Sequence, residues 1–253
     1  MAPHRLFGTI DGAIACSAAT WADAARTAIN EAHRAGVLPI LVGGTGLYIN
    51  TLLNGIAPIP DIDPAIRQAV RAMAVGDAYA ALTGEDSTSA ARLAPADTTR
   101  VARALEVVRS TGAPLSHWHA RRVGGISETM KLAPLIVLPP REWLLARCDA
   151  RFAAMFENGA AQEVAALVAR KLDRALPVMR AIGVREVAAY LAGETDAETA
   201  TASAQLATRQ YAKRQNTWFN NQAPGDWLRV RQEINNENVI DLAIKLRRMV
   251  LTL

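Results

Sequence analysis

The feature that most constrains this chain is the run Val37-Leu38-Pro39-Ile40-Leu41-Val42, with Gly36 before it and Gly43-Gly44-Thr45-Gly46 after it. A continuous apolar run between glycines predicts a strand buried on both faces, the kind found in parallel sheets. Ahead of it, Trp21, Ala24, Ala25, Ile29 and Ala32 recur at helical spacing over residues 17–35, and Gly36 stands where a helix C-cap belongs. A further helical stretch starts at Leu47. Helix, strand, glycine turn and helix make an α/β unit, and such units bind ligands at the carboxyl ends of their strands.

Downstream the pattern changes. Ile56-Ala57-Pro58-Ile59-Pro60 reads as a connection, and the alanine-rich stretch to Leu93 as a helical insertion. The spacing predicts a helix over 98–110, stopped by Thr111-Gly112. A second buried strand is expected over 135–138, closed by Pro139-Pro140. Helices follow over 142–157, 161–170, 185–191 and 197–219, with a terminal helix over 238–253. The expected organisation is a core α/β part at 1–58, a helical insertion at 59–96, and the remainder of the core with C-terminal helices at 97–253.

Composition narrows the class. The 253 residues are 51% hydrophobic and 21% charged, as in ordinary globular proteins. No run approaches the ~18 apolar residues of a membrane span, and Met1-Ala-Pro-His4 is not a signal peptide. Cys16 and Cys148 are too few and too far apart for a disulfide framework or a metal cage, so reduced thiols in a cytoplasmic protein are expected. A net charge of +4 hints at an anionic partner.

Five constellations carry possible chemistry, each with a plainer alternative. Gly43, Gly44 and Gly46 around Thr45 suit either a turn approaching a substrate or a turn needed only for packing. A dinucleotide fingerprint is a poor fit, because Ile49 stands where its third glycine belongs. Arg100 and Arg103 share a helix face and suit either phosphate contact or a solvated face with an Arg103–Glu106 pair. Arg147 and Arg151 form a similar pair at helical spacing. Residues 208–219 mix Arg209, Lys213 and Arg214 with amides and with Tyr211, Trp218 and Phe219. Cations that neutralise phosphates beside aromatics that stack on bases suit an RNA loop, and a plain amphipathic helix is the alternative. Arg180 and Arg185 flank Gly183 in a loop or capped turn.

In this order the segments resemble the tRNA dimethylallyltransferase family. The resemblance runs through Pro3-His4-Arg5-Leu6, Cys16-Ser17-Ala18-Ala19, residues 41–48, Asp97 through Glu106, Arg147 through Gly159, Met179 through Gly183 and Thr208 through Gln215. It implies a parallel-sheet core like that of P-loop nucleotide kinases, with ATP-binding-type architecture, a helical insertion and a helix-rich C-terminal part. It also implies transfer of a dimethylallyl group from dimethylallyl diphosphate to N6 of adenine 37 in tRNA, with Mg²⁺ as cofactor. The base must leave its stack to react, and cations stabilise the departing diphosphate. By resemblance, Thr45 lies near the reacting adenine and Arg151 near the diphosphate. Arg67, Thr99, Arg100, Arg103, Arg180, Gly183, Arg185, Lys213, Arg214, Gln215, Asn216, Thr217 and Asn220 fall at tRNA-contacting positions. The implied partner is the anticodon stem-loop, bound by a monomer.

The sequence departs from the family in two ways. No Gly-Lys-Ser/Thr occurs, so the first strands, the P-loop and the catalytic aspartate are expected to be missing and the chain as written inactive. Asn220 stands where the family usually has arginine. The competing readings are a catalytically dead tRNA-binding remnant and an unrelated nucleotide-binding α/β protein.

Overall fold

The computed structural model describes residues 2–251, which leaves the last two positions of the helix expected over 238–253 outside the described residues. The chain divides into two compact units. One comprises residues 1–49 and 129–253; the other comprises residues 50–128.

The first unit opens with α1 (Ala18–Arg34), whose Ser17 hydroxyl accepts from the Thr20 amide at 3.0 Å, an N-cap that ends the preceding irregular segment. Helix α2 (Gly46–Asn54) starts in the glycine turn and runs into the second unit. There the chain forms α3 (Pro64–Ala72), α4 (Val75–Glu85), the single turn α5 (Ser87–Ala90), α6 (Thr98–Thr111) and α7 (Leu115–His119). Asp63 caps α3, with Pro64 in its first turn, and Asp97 caps α6. Gly112, at φ +68°, closes α6 in the left-handed conformation that glycine adopts without penalty. Val70, Leu82, Val101, Ala104 and Leu105 form this unit's core, so α6, which the sequence reading grouped with 97–253, packs here with the helices of 59–96.

Back in the first unit, β1 (Leu135–Val137) leads to α8 (Arg141–Met155), a kinked turn (Phe156–Ala160) and α9 (Ala161–Ala169). A 3₁₀ turn (Pro177–Arg180), α10 (Val184–Leu191) and the long α11 (Ala197–Asn221) follow, then β2 (Leu228–Val230) and α12 (Asn238–Leu251). Asp196 caps α11 through the Thr199 amide at 2.7 Å. Strands β1 and β2 pair in parallel, Ile136 opposite Arg229, and the helices between them supply the long crossover that parallel pairing requires. Ile136 and Leu138 pack with Ala223 against Trp218, Phe219 and Trp227. Phe152, Val164, Val187 and Ala204 join α8, α9, α10 and α11 in a second cluster.

The α/β class with more helix than strand holds, with one correction. Residues 37–42 are not a buried strand: Ile40 is 79% and Val42 87% exposed, and the run pairs with no strand among the described residues. Apolar composition alone does not make a strand. A ladder needs a neighbour to satisfy its amides and carbonyls. The short strand Leu228–Val230 carried no sequence signal long enough to be read.

Candidate active site and RNA interface

The glycine turn lies directly on α11. Gly44 sits against the Gln215 amide and Gly46 against the Trp218 indole, both so closely that a Cβ would overlap those side chains. Neither glycine has a positive φ, so closeness rather than backbone freedom calls for them. The approach brings the exposed Thr45 hydroxyl to 2.7 Å from the Tyr211 hydroxyl. The Arg214 guanidinium stands over the Tyr211 ring, 5.5 Å from its centroid. The Tyr48 hydroxyl donates to the Cys16 carbonyl at 3.3 Å. Burial, then the nearby Cys16 and Tyr211, raises the Tyr48 pKa, which keeps this phenol a proton donor. The turn therefore presents a hydroxyl pair beside a cation, a set of groups able to hold the polar edge of a substrate.

Helix α8 is anchored on α11 by Asp149, whose carboxylate oxygens accept from Arg209 at 2.8 and 2.7 Å and whose carbonyl accepts from Gln205 at 3.0 Å. Two residues on, the exposed Arg151 borders an open cleft of about 420 Å³, shared with Met155, Asn158, Gly159 and Glu163. A kink at Asn158 and Gly159, the latter at φ +111°, shapes this cleft. Arg147 does not share Arg151's surroundings, since its guanidinium stacks 4.7 Å above the Trp143 ring. Gly183, at φ +95°, packs on Phe152, and its amide donates to the Glu186 carboxylate at 3.2 Å. Arg180 donates to the Ala175 carbonyl, and Arg185 is exposed.

In the second unit, Glu106 is 1% exposed and is ringed by cations. Its carboxylate lies 2.8 Å from Arg71 Nε, 3.8 Å from Arg67 Nε and 3.9 Å from an Arg103 Nη. Burial chiefly lowers the Arg103 pKa; Glu106 opposes the shift, and Arg67 and Arg71 add to it. The His119 pKa is lowered too, first by burial and then by Arg122 and Arg103.

Residues 1–222 match the IPP transferase family. The chain belongs to that family. It is 60% identical over 250 residues to a tRNA dimethylallyltransferase of Sphingopyxis alaskensis, spanning 99% of this chain and 82% of the relative. Its structure resembles that of a full-length tRNA isopentenylpyrophosphate transferase from Bacillus halodurans, with a TM-score of 0.63 and 30% identity over 99% of this chain and 80% of that one. The fold also matches a eukaryotic dimethylallyltransferase crystallised in action on tRNA, with a TM-score of 0.78 and 24% identity over 96% of this chain and 64% of that one.

Thr45 meets the helix that carries Lys213 through Asn220, and both belong to one unit. Lys213 and Arg214 are exposed, while Gln215 is used against Gly44. The Thr217 hydroxyl donates to its own helix at the Lys213 carbonyl, 3.0 Å away. Asn220 donates to Asn216 at 2.8 Å and accepts from Arg231 at 3.0 Å, so a guanidinium stands beside it. Arg67 and Arg103 meet at Glu106 in the other unit, where Thr99 is exposed and Arg100 lies 3.5 Å from Asp97. The solvated-face alternative for Arg103–Glu106 does not hold, because the acid is buried. Two participants escaped sequence reading: Tyr211 as the partner of Thr45, and Arg71. The spacing of Arg67 and Arg71, four apart on one helix face, was a usable signal.

Proposed function

We propose that this chain serves the transfer of a dimethylallyl group from dimethylallyl diphosphate to N6 of adenine 37 in tRNA. The observation that carries the reading is the turn at Thr45 seated on α11, where the Thr45–Tyr211 hydroxyl pair adjoins Arg214. The Sphingopyxis relative's name supports the same activity. In this reading Thr45 holds the polar edge of an adenine turned out of its stack, which fixes the attacking amine. Arg151, at its open cleft, takes the diphosphate and gains strength as negative charge develops on the departing oxygen. Lys213 and Arg214 bind backbone phosphates of the anticodon stem-loop, as do Arg180, Arg185, Arg67, Arg100 and Arg103. Arg231 supplies the cation that Asn220 lacks.

Among the described residues, no three His, Cys, Asp or Glu side chains gather as a metal cage. Mg²⁺, which the resemblance implies, commonly takes one or two carboxylates together with substrate phosphates and water, and the steps above rest on the chain's own cations and hydroxyls. Because residues 1–253 carry no Gly-Lys-Ser/Thr, the expectation for these residues taken alone is tRNA binding without transfer. The experiment is to assay residues 1–253 for binding to an unmodified anticodon stem-loop and for prenyl transfer to it. Binding without transfer is expected. Steady transfer would overturn the inactivity, and failure to bind would overturn the tRNA reading.

A further inference from the structure

Glu106 sits on α6 between Leu105 and Val107, both fully buried. A carboxylate in that position is strongly unfavourable unless a cation compensates it. Arg71 does so with a direct hydrogen bond of 2.8 Å to Oε1. Oε2 is buried without a hydrogen-bond partner, and Arg67 and Arg103 reach it only at ion-pair range. One pair would neutralise the acid, yet three guanidinium groups surround it. A single negative charge against three positive ones leaves the group with a surplus of two. The cations are also partly open to solvent, with side chains 45% (Arg67), 65% (Arg71) and 42% (Arg103) exposed.

We propose that Glu106 is a positioning residue for RNA: it gathers Arg67 and Arg71 from α3 and Arg103 from α6 into one patch that takes a backbone phosphate. Arg71 is thereby a phosphate-contacting residue as well. The proposal rests on the tRNA reading above and deepens it. Burial first lowers the Arg103 and His119 pKa values, and the neighbouring cations add a smaller part that an incoming anion relieves. Guanidinium groups held by a buried acid lose less freedom on meeting a phosphate than free side chains do, and their forks suit phosphate oxygens.

The test measures binding of an anticodon stem-loop RNA to the full chain across a salt series, with thermal melting of each variant. Glu106→Gln removes a negative charge, so if the acid contributed only its field, binding would tighten. A positioning role predicts the opposite sign: binding about fivefold to tenfold weaker, because the cations lose their anchor. Arg71→Ala, at an exposed side chain, should lower the slope of log affinity against log salt by about one ion. If Glu106→Gln does not fold, Arg71→Ala decides alone. Tighter or unchanged binding by folded Glu106→Gln, or an unchanged slope for Arg71→Ala, overturns the proposal. Lys213→Ala in the other unit separates the two levels: a lower slope there with no effect at Arg71 and Glu106 sinks only this inference. Loss of stem-loop binding by the wild-type chain sinks both.

Discussion

At the turn of residues 43–46 the polar groups are neutral hydroxyls, brought together because two glycines let backbone touch Gln215 and Trp218. Around Glu106 the polar groups are fully charged, and one buried acid draws three cations to it. The first arrangement depends on shape and tolerates no added methyl group; the second depends on charge. A site that must place one reacting atom benefits from close packing, which holds geometry to fractions of an ångström. A site that grips a polyanion benefits from surplus charge, which acts at longer range and weakens with salt.

The largest expected effect tests whether the chemistry belongs to the first unit. In a chimera that adds the part of the Sphingopyxis relative not spanned by this chain, Arg151→Ala should slow single-turnover transfer about a hundred- to a thousand-fold, or ~2.7–4 kcal/mol. Stem-loop affinity should hardly change. If affinity fell while the chemical step stayed intact, Arg151 would belong with the RNA-gripping cations and the comparison would lose its catalytic half.

A smaller effect probes the shape argument. Gly46→Ala places a methyl group into the Trp218 indole, and overpacking of this kind commonly costs ~1–3 kcal/mol. The melting temperature should fall and Thr45 should shift from Tyr211, whereas the salt slope of RNA binding should stay as it was. A fully stable Gly46→Ala variant would show that the turn has room to move, so that packing does not hold Thr45. Trp218 packs with Ile136 and Leu138, so Trp218→Ala should likewise act on stability rather than on the salt slope.

The smallest effect sharpens the charge argument inside the first unit. Lys213 and Arg214 are adjacent and so point about 100° apart around α11, which favours two separate phosphates. Each alanine variant should lower the salt slope by roughly one ion, across all cognate tRNAs alike. Arg214→Ala should also remove the contact over Tyr211 and thereby disturb Thr45, which Lys213→Ala should not do. Unchanged slopes in both variants would return this stripe to a solvated face.

Helix positions were legible from the sequence because their signals are local. The spacing of Trp21, Ala25 and Ile29 and the glycine after α6 lie within a few residues of what they control. The basic and aromatic content of 208–219 was equally visible, and so was the glycine turn. Pairing was not. The run 37–42 has the composition of a strand and lies unpaired, while Leu228–Val230 is too short to read yet pairs with β1. A ladder is a property of two segments, and neither segment's residues name its partner. Burial of a charge follows the same logic. Glu106 reads as one end of an exposed i,i+3 pair until α3 is folded beside it with Arg67 and Arg71. The Thr45–Tyr211 bond spans 166 positions. The sequence by itself determined which stretches are helical, which turn is tight and which helix is basic, because those follow from side chains a turn or two apart. Only the tertiary structure decided which hydroxyls meet, which acid is buried and which apolar run stays open, because those depend on contacts between residues far apart in the chain.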